Sequence, residues 1–153
     1  MDALKLKIPP PIVALAMGAL MWLIARVTPT LTFALPARRA LAACVALAGV
    51  STAIAGIVAF RRARTTVNPL RPEKASSLVV FGIYKITRNP MYLGLLLVLL
   101  AWALILSNAL AFIMLPAFIL YMNCLQIGPE EIALASAFGD AFTQYKRRVR
   151  RWL

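Results

Sequence analysis

Four long apolar runs divide this chain, at 8–27, 40–60, 91–106 and 109–127. A membrane-crossing helix needs about 17–25 mostly apolar residues. The runs match or approach that length, so the pattern predicts an all-α integral membrane protein with about four spans, a single domain over 1–153. Ser107 and Asn108 separate the last two runs without a charge and predict a tight hairpin. Pro116 inside the fourth run predicts a kink, and Gly128-Pro129 predicts a break after it. Over 130–152 the period changes. Ile132, Ala135, Phe138, Phe142, Tyr145 and Val149 recur at three- and four-residue spacing, the signature of an amphipathic helix with a basic end, lying at the membrane surface. In the second run Ala43, Gly49, Ala53 and Gly56 are small enough to let a neighbouring helix approach. The polar stretch 65–77, with two prolines and two serines, is longer than connectivity requires and is a candidate functional element.

Composition agrees with the pattern. Hydrophobic residues make up 62% and charged residues 14% of the 153, against about a quarter charged in a soluble domain. The formal charge of +12 flanks apolar spans, so it points to anionic lipid headgroups rather than nucleic acid. Fourteen of the seventeen Lys and Arg precede the first run, lie in the 61–88 segment or lie from Lys146 onward. The positive-inside rule then sets the termini and that segment in the cytoplasm. There is no histidine, which excludes triads built on one. Cys44 and Cys124 both fall inside apolar runs, so they are expected to be buried small hydrophobes, with neither a disulfide nor a metal site.

One stretch concentrates polar chemistry against an apolar span: LVVFGIYKITRNPMYLG, residues 78–94. Gly82 allows a bend. Tyr84, Lys85, Thr87, Arg88 and Asn89 supply donors and acceptors. Pro90 then opens the third span, whose free amides face back toward the loop, a position suited to an anionic group. A basic interfacial anchor with proline at the first helical position accounts for the same residues. Glu130 and Glu131 stand beyond Pro129, where carboxylates also serve as helix caps.

The pattern resembles the isoprenylcysteine carboxyl methyltransferase family and the related phospholipid methyltransferases. It carries Gly-x-Tyr at 82–84, Arg-Asn-Pro-x-Tyr-x-Gly at 88–94 and a distant Glu-Glu at 130–131. The likeness covers roughly residues 66–153, with Asn89 where the eukaryotic enzymes carry histidine. It implies a multi-pass membrane enzyme, bacterial inner-membrane in type, that uses S-adenosyl-L-methionine. The cofactor region would be 66–94 with 126–152. The implied cofactor contacts are Ser76, Ser77, Leu78, Val79, Tyr84, Asn89, Pro90, Met91, Tyr92 and Glu130, with Arg88 and Glu130 as candidate catalytic residues. Asn89 can hydrogen-bond but cannot titrate. Gln126 falls where the eukaryotic enzymes hold the acceptor carboxylate with arginine, and a neutral amide holds it less firmly. The implied acceptor is a lipid-like or prenylated molecule, with carboxyl O-methylation suspected. Phospholipid N-methylation, or a non-catalytic protein keeping the fold, are the alternatives.

Overall fold

The computed structural model describes residues 8–63 and 77–153. Ser76, Lys5, Lys7 and most of the 65–77 stretch lie outside them. The protein is all-α, with no strand among the described residues. Helix α1 is Pro10–Val27, α2 Arg38–Arg62, α3 Pro90–Leu106, α4 Ala109–Tyr121 and α5 Gly128–Arg148. Proline opens α1 and α3, where its missing amide would have had no intrahelical partner. Three helical stretches are long and apolar enough to cross a membrane, and α3, at 17 residues, is just shorter.

The α2–α3 seam is the most extensive helix contact. Gly49 and Gly94 make it possible. A Cβ on Gly49 would lie 2.8 Å from the Gly94 carbonyl oxygen, and one on Gly94 2.6 Å from that of Gly49. Helix α1 packs on α3 and α4, around a core that includes Met21, Leu99, Phe118 and Met122. Leu15, Leu47, Ile54, Ile113 and Leu120 point outward. A membrane protein presents that apolar exterior to lipid, where a soluble one would be left with an exposed patch. Cys44 and Cys124 are exposed on this exterior rather than buried. Lipid solvates a thiol's apolar neighbours as well as a protein core would.

The predicted hairpin at 107–108 is a joint for one whole end of the bundle. Asn108 is fully buried. Its Oδ1 accepts from the Leu110 and Ala111 amides at 3.0 and 3.3 Å, capping α4. Its Nδ2 donates to the Thr28 carbonyl at 2.8 Å, tying α1 to the cap. Arg38 donates to Ser107 Oγ at 3.5 Å, so the start of α2 lies at the same end. At the other end, Gly56 of α2 sits against Pro90 and Met91 of α3.

Gly128-Pro129 does not break the chain. Residues Met122–Ile127 form a π-helix that carries α4 into α5 without interruption. Proline lacks an amide and its ring crowds the carbonyl four residues back. The wider π turn takes up that misfit, with the Gly128 amide reaching Asn123 five residues back. The expected 130–152 helix is shorter and bent. Gly139 adopts φ 51°, ψ −123° within it, a conformation that favours glycine. The helix stops at Arg148, and Val149 turns extended. Residues 149–153 return to the loop before α3.

Candidate functional site

Four chain segments converge at the α2-terminal end of the bundle. The first is the 3₁₀ turn Gly82–Lys85 with the loop 86–89. The second is the first turn of α3, which carries Tyr92. The third is the junction of the π-helix with α5, which carries Gln126, Glu130 and Glu131. The fourth is the returning tail. Pro90 fixes the start of α3, so Asn89 leaves the loop with non-helical backbone, as a residue preceding proline must.

The two adjacent carboxylates do different things, because neighbours on a helix point about 100° apart. Glu130 Oε1 accepts from the Tyr92 hydroxyl and from Gln126 Nε2 at 2.6 Å. No hydrogen bond reaches its other oxygen among the described residues. Glu131 turns to cations. Its Oε1 accepts from Arg88 Nη2 at 2.8 Å and Arg151 Nε at 3.1 Å. Its Oε2 accepts from Arg151 Nη2 at 2.7 Å, with Lys146 Nζ at 3.7 Å. Side-chain exposure of 11% for Arg88 and 12% for Glu131 makes theirs a buried pair. The hydrogen bond to Glu131 raises the Arg151 pKa further. Arg88 Nε is buried without a hydrogen-bond partner.

The tail binds the loop through its backbone. The Arg150 carbonyl accepts from the Arg88 amide at 3.0 Å. The Arg151 carbonyl accepts from Thr87 Oγ1 at 3.3 Å and Asn89 Nδ2 at 2.9 Å. Asn123 Oδ1 accepts from Arg151 Nη1 and Trp152 Nε1 at 3.3 and 3.1 Å. Tyr145 donates to the Tyr84 carbonyl at 2.7 Å. Burial pushes the Tyr84 hydroxyl far above the ordinary phenol range, with Tyr145 and Glu130 nearby adding to it, so Tyr84 is a neutral hydroxyl.

These residues surround a cavity of about 100 Å³. Ser77, Leu78, Val79, Tyr84, Arg88, Asn89, Met91, Tyr92 and Glu130 all line it, so nine of the residues singled out from the sequence converge on one space. Pro90 is buried at the start of α3 and does not line it. Gln126 is buried behind Glu130, which it contacts. Asn89 lines the cavity but spends its amide nitrogen on the tail. Phe142 and Tyr145 form its far wall. Their three-residue spacing reads in the sequence as a membrane-facing stripe. Arg151 and Thr87 were not singled out as site residues, and Arg151 is one of five basic residues from Lys146 onward.

The cavity has the chemistry for a cation bearing polar arms: two carboxylates, of which Glu130 pairs with no cation, tyrosine hydroxyls and aromatic walls. It is smaller than the roughly 300–1,000 Å³ of a pocket for a drug-sized ligand. The segment beyond Gly139, carrying Phe142 and Tyr145, is what closes it.

An all-α membrane bundle with a polar site at the end of its spans is the architecture in hand. The chain belongs to the phospholipid methyltransferase family, whose model matches residues 37–141. It is 56% identical over 63 residues to an uncharacterized protein of Haemophilus influenzae, a match covering 41% of this chain and all of that relative. It is 32% identical over 77 residues to the protein-S-isoprenylcysteine O-methyltransferase of Schizosaccharomyces pombe, covering 50% of this chain and 33% of that enzyme. The chain thus aligns with only a third of the length of the yeast relative. No solved structure matches it.

Proposed function

We propose that this membrane methyltransferase takes its methyl group from S-adenosyl-L-methionine and passes it to a lipid-soluble acceptor. The observation that carries the reading is Glu130, a carboxylate that lines the cavity and is held on one oxygen by Tyr92 and Gln126. Such a group, in a space that excludes water, attracts a cation strongly. S-adenosyl-L-methionine supplies a methyl group already activated on a sulfonium. The chain's residues then have to bind, orient and exclude water. Glu130 would hold the cationic part, Tyr84 and Tyr92 would orient it, and Ser77, Leu78, Val79 and Met91 would line its path. Arg88 would act indirectly, by anchoring the wall that carries Glu131. The donor's bulk requires the segment beyond Gly139 to swing outward.

A lipid amine as acceptor is a second reading, favoured by the state of the cations. Arg88, Lys146 and Arg151 are all engaged by Glu131, and Gln126 is neutral and bound to Glu130. A carboxylate acceptor would find no uncommitted cation among the described residues lining the cavity, whereas an amine needs none. Orientation with the site in the cytoplasm, where a soluble donor is available, follows from the arginine and lysine distribution.

The test is calorimetric titration of purified protein with S-adenosyl-L-methionine and S-adenosylhomocysteine, followed by transfer of a labelled methyl group to fractionated membrane lipids. A charge-assisted contact is worth about 1.5–3 kcal/mol, so Glu130→Gln should weaken donor binding on the order of tenfold to a hundredfold. Unchanged binding by Glu130→Gln, or no binding by folded parent protein at millimolar donor, rejects the reading. A label found on amine headgroups selects the second acceptor class, and on carboxyl esters the first.

A further inference from the structure

The larger cavity in the molecule is not the one beside Glu130. Helices α1 and α2 each pack on α3, and α1 turns to α4 rather than to α2. A groove of about 990 Å³ lies between them, floored by α3. Ala14, Gly18 and Trp22 form one wall, Ala43 and Ala46 the other, with Leu99 and Trp102 beneath. The small side chains leave the space, and Trp102 Nε1 is already satisfied by the Gly18 carbonyl at 3.0 Å.

The groove is apolar except at one end, where Arg39 lines it. Two more arginines stand at that end. Arg26 lies over the Trp22 ring, 5.0 Å from its centroid, and Arg38 reaches Ser107. None of the three pairs with a carboxylate among the described residues. The described carboxylates that form ion pairs do so at the other end, with Arg88, Lys146 and Arg151. Helix α3 has 17 residues, so the two ends are about 25 Å apart.

We propose that this groove binds one anionic phospholipid, its phosphate on Arg39 with Arg26 and Arg38 beside it and its hydrocarbon chain along Ala14, Gly18 and Trp102. The occupant follows from charge. A second copy of the chain would bring further arginine to that end and no described acid. A zwitterionic lipid offers a phosphate already neutralised by its own amine. A lipid anchored there has its headgroup a membrane's thickness from Glu130, so it is a bound structural lipid and not the methyl acceptor. This site is independent of the methyl-transfer reading.

Tryptophan quenching tests it. The protein has three tryptophans, and Trp152→Phe leaves only Trp22 and Trp102, both in the groove. Full-length Trp152→Phe protein is reconstituted into phosphatidylcholine vesicles carrying brominated-chain phosphatidylglycerol, or into mixed vesicles in which the phosphatidylcholine carries the bromine. A surface arginine contributes roughly fivefold to anionic-lipid attraction. Brominated phosphatidylglycerol should therefore occupy the groove at least fivefold better than brominated phosphatidylcholine. Arg39→Gln should abolish most of that preference, and Arg39→Lys should keep it. Arg148→Gln, the same charge loss at the far end, should leave it unchanged, and Ala43→Leu should weaken quenching by both lipids. Equal quenching by the two lipids overturns the proposal. So does a preference that survives Arg39→Gln. Loss of quenching by either lipid together with a dimer in cross-linking overturns it too, since a second copy then fills the groove.

Discussion

The α2–α3 seam and the clasp between α5, the tail and the 86–89 loop hold the molecule together by opposite means. The seam is backbone against backbone, with Gly49 and Gly94 in contact and no charge between them. The clasp is almost wholly polar, built on Glu131 with Arg88 and Arg151 and on two tail carbonyls. The seam tolerates any residue small enough, and its failure is steric. The clasp depends on matched donors and acceptors, because Arg88 and Glu131 at its centre are little exposed. A membrane supplies no hydrophobic drive between helices, so close approach serves the part that spans. The part that surrounds the site can use directional bonds, which can be broken and remade.

The contrast can be broken at either region. Gly94→Val should have the largest effect. A Cβ there meets backbone at 2.6 Å, which cannot move aside cheaply, so the loss should exceed about 3 kcal/mol. The check is the yield of folded monomer and its thermal unfolding in detergent. A small shift in unfolding temperature would contradict the seam as described. Glu131→Gln comes next. It leaves Arg88 buried without its counterion, a loss of about 3 kcal/mol. It should loosen the tail to protease while the spans stay assembled, so a uniform loss of all helices would count against two separate regions. The resemblance names Glu130 and not Glu131 among the donor contacts. For holding the tail in place the order reverses.

Asn89→Ala should be milder, about 1 kcal/mol for one hydrogen bond, seen as faster amide exchange over 149–153. Asn89→His retains a donor within reach of the Arg151 carbonyl and should restore protection. If Asn89 matters only to the donor, both substitutions leave tail exchange untouched. Tyr145→Phe, which removes the bond to the Tyr84 carbonyl, should cost least, roughly 0.5–1 kcal/mol. It sharpens the comparison by showing whether the wall beyond Gly139 opens independently of Glu131.

The spans were legible because apolar run length is a strong signal, and the start of α3 because Pro90 sits well only there. The seam was half legible. Gly49 and Gly56 mark a close approach, but nothing in the sequence pairs Gly49 with Gly94, and Ala43 borders the groove instead. The α4–α5 junction was misread because Gly-Pro is a loop signal in general, and a π-helix that absorbs the proline leaves no composition mark. Most of the cavity wall could be read, since Tyr84, Asn89, Tyr92 and Glu130 sit in one dense motif and its partner. Arg151 could not. It acts partly through its carbonyl, which every residue has, and its side chain is one of several arginines in a row. Phe142 and Tyr145 carried the right period but the wrong destination.

The tail carbonyl that holds Asn89, that of Arg151, lies 62 residues further along the chain. During synthesis the spans can enter the bilayer while residues 149–151 are still inside the ribosome. The 86–89 loop then lacks the carbonyls that hold it. Synthesis interrupted after Arg148 leaves every helix, Phe142 and Tyr145 included, but the Arg88 amide, Thr87 and Asn89 without the carbonyls of Arg150 and Arg151. The loop that carries Arg88 and Asn89 is therefore set by residues that follow every span.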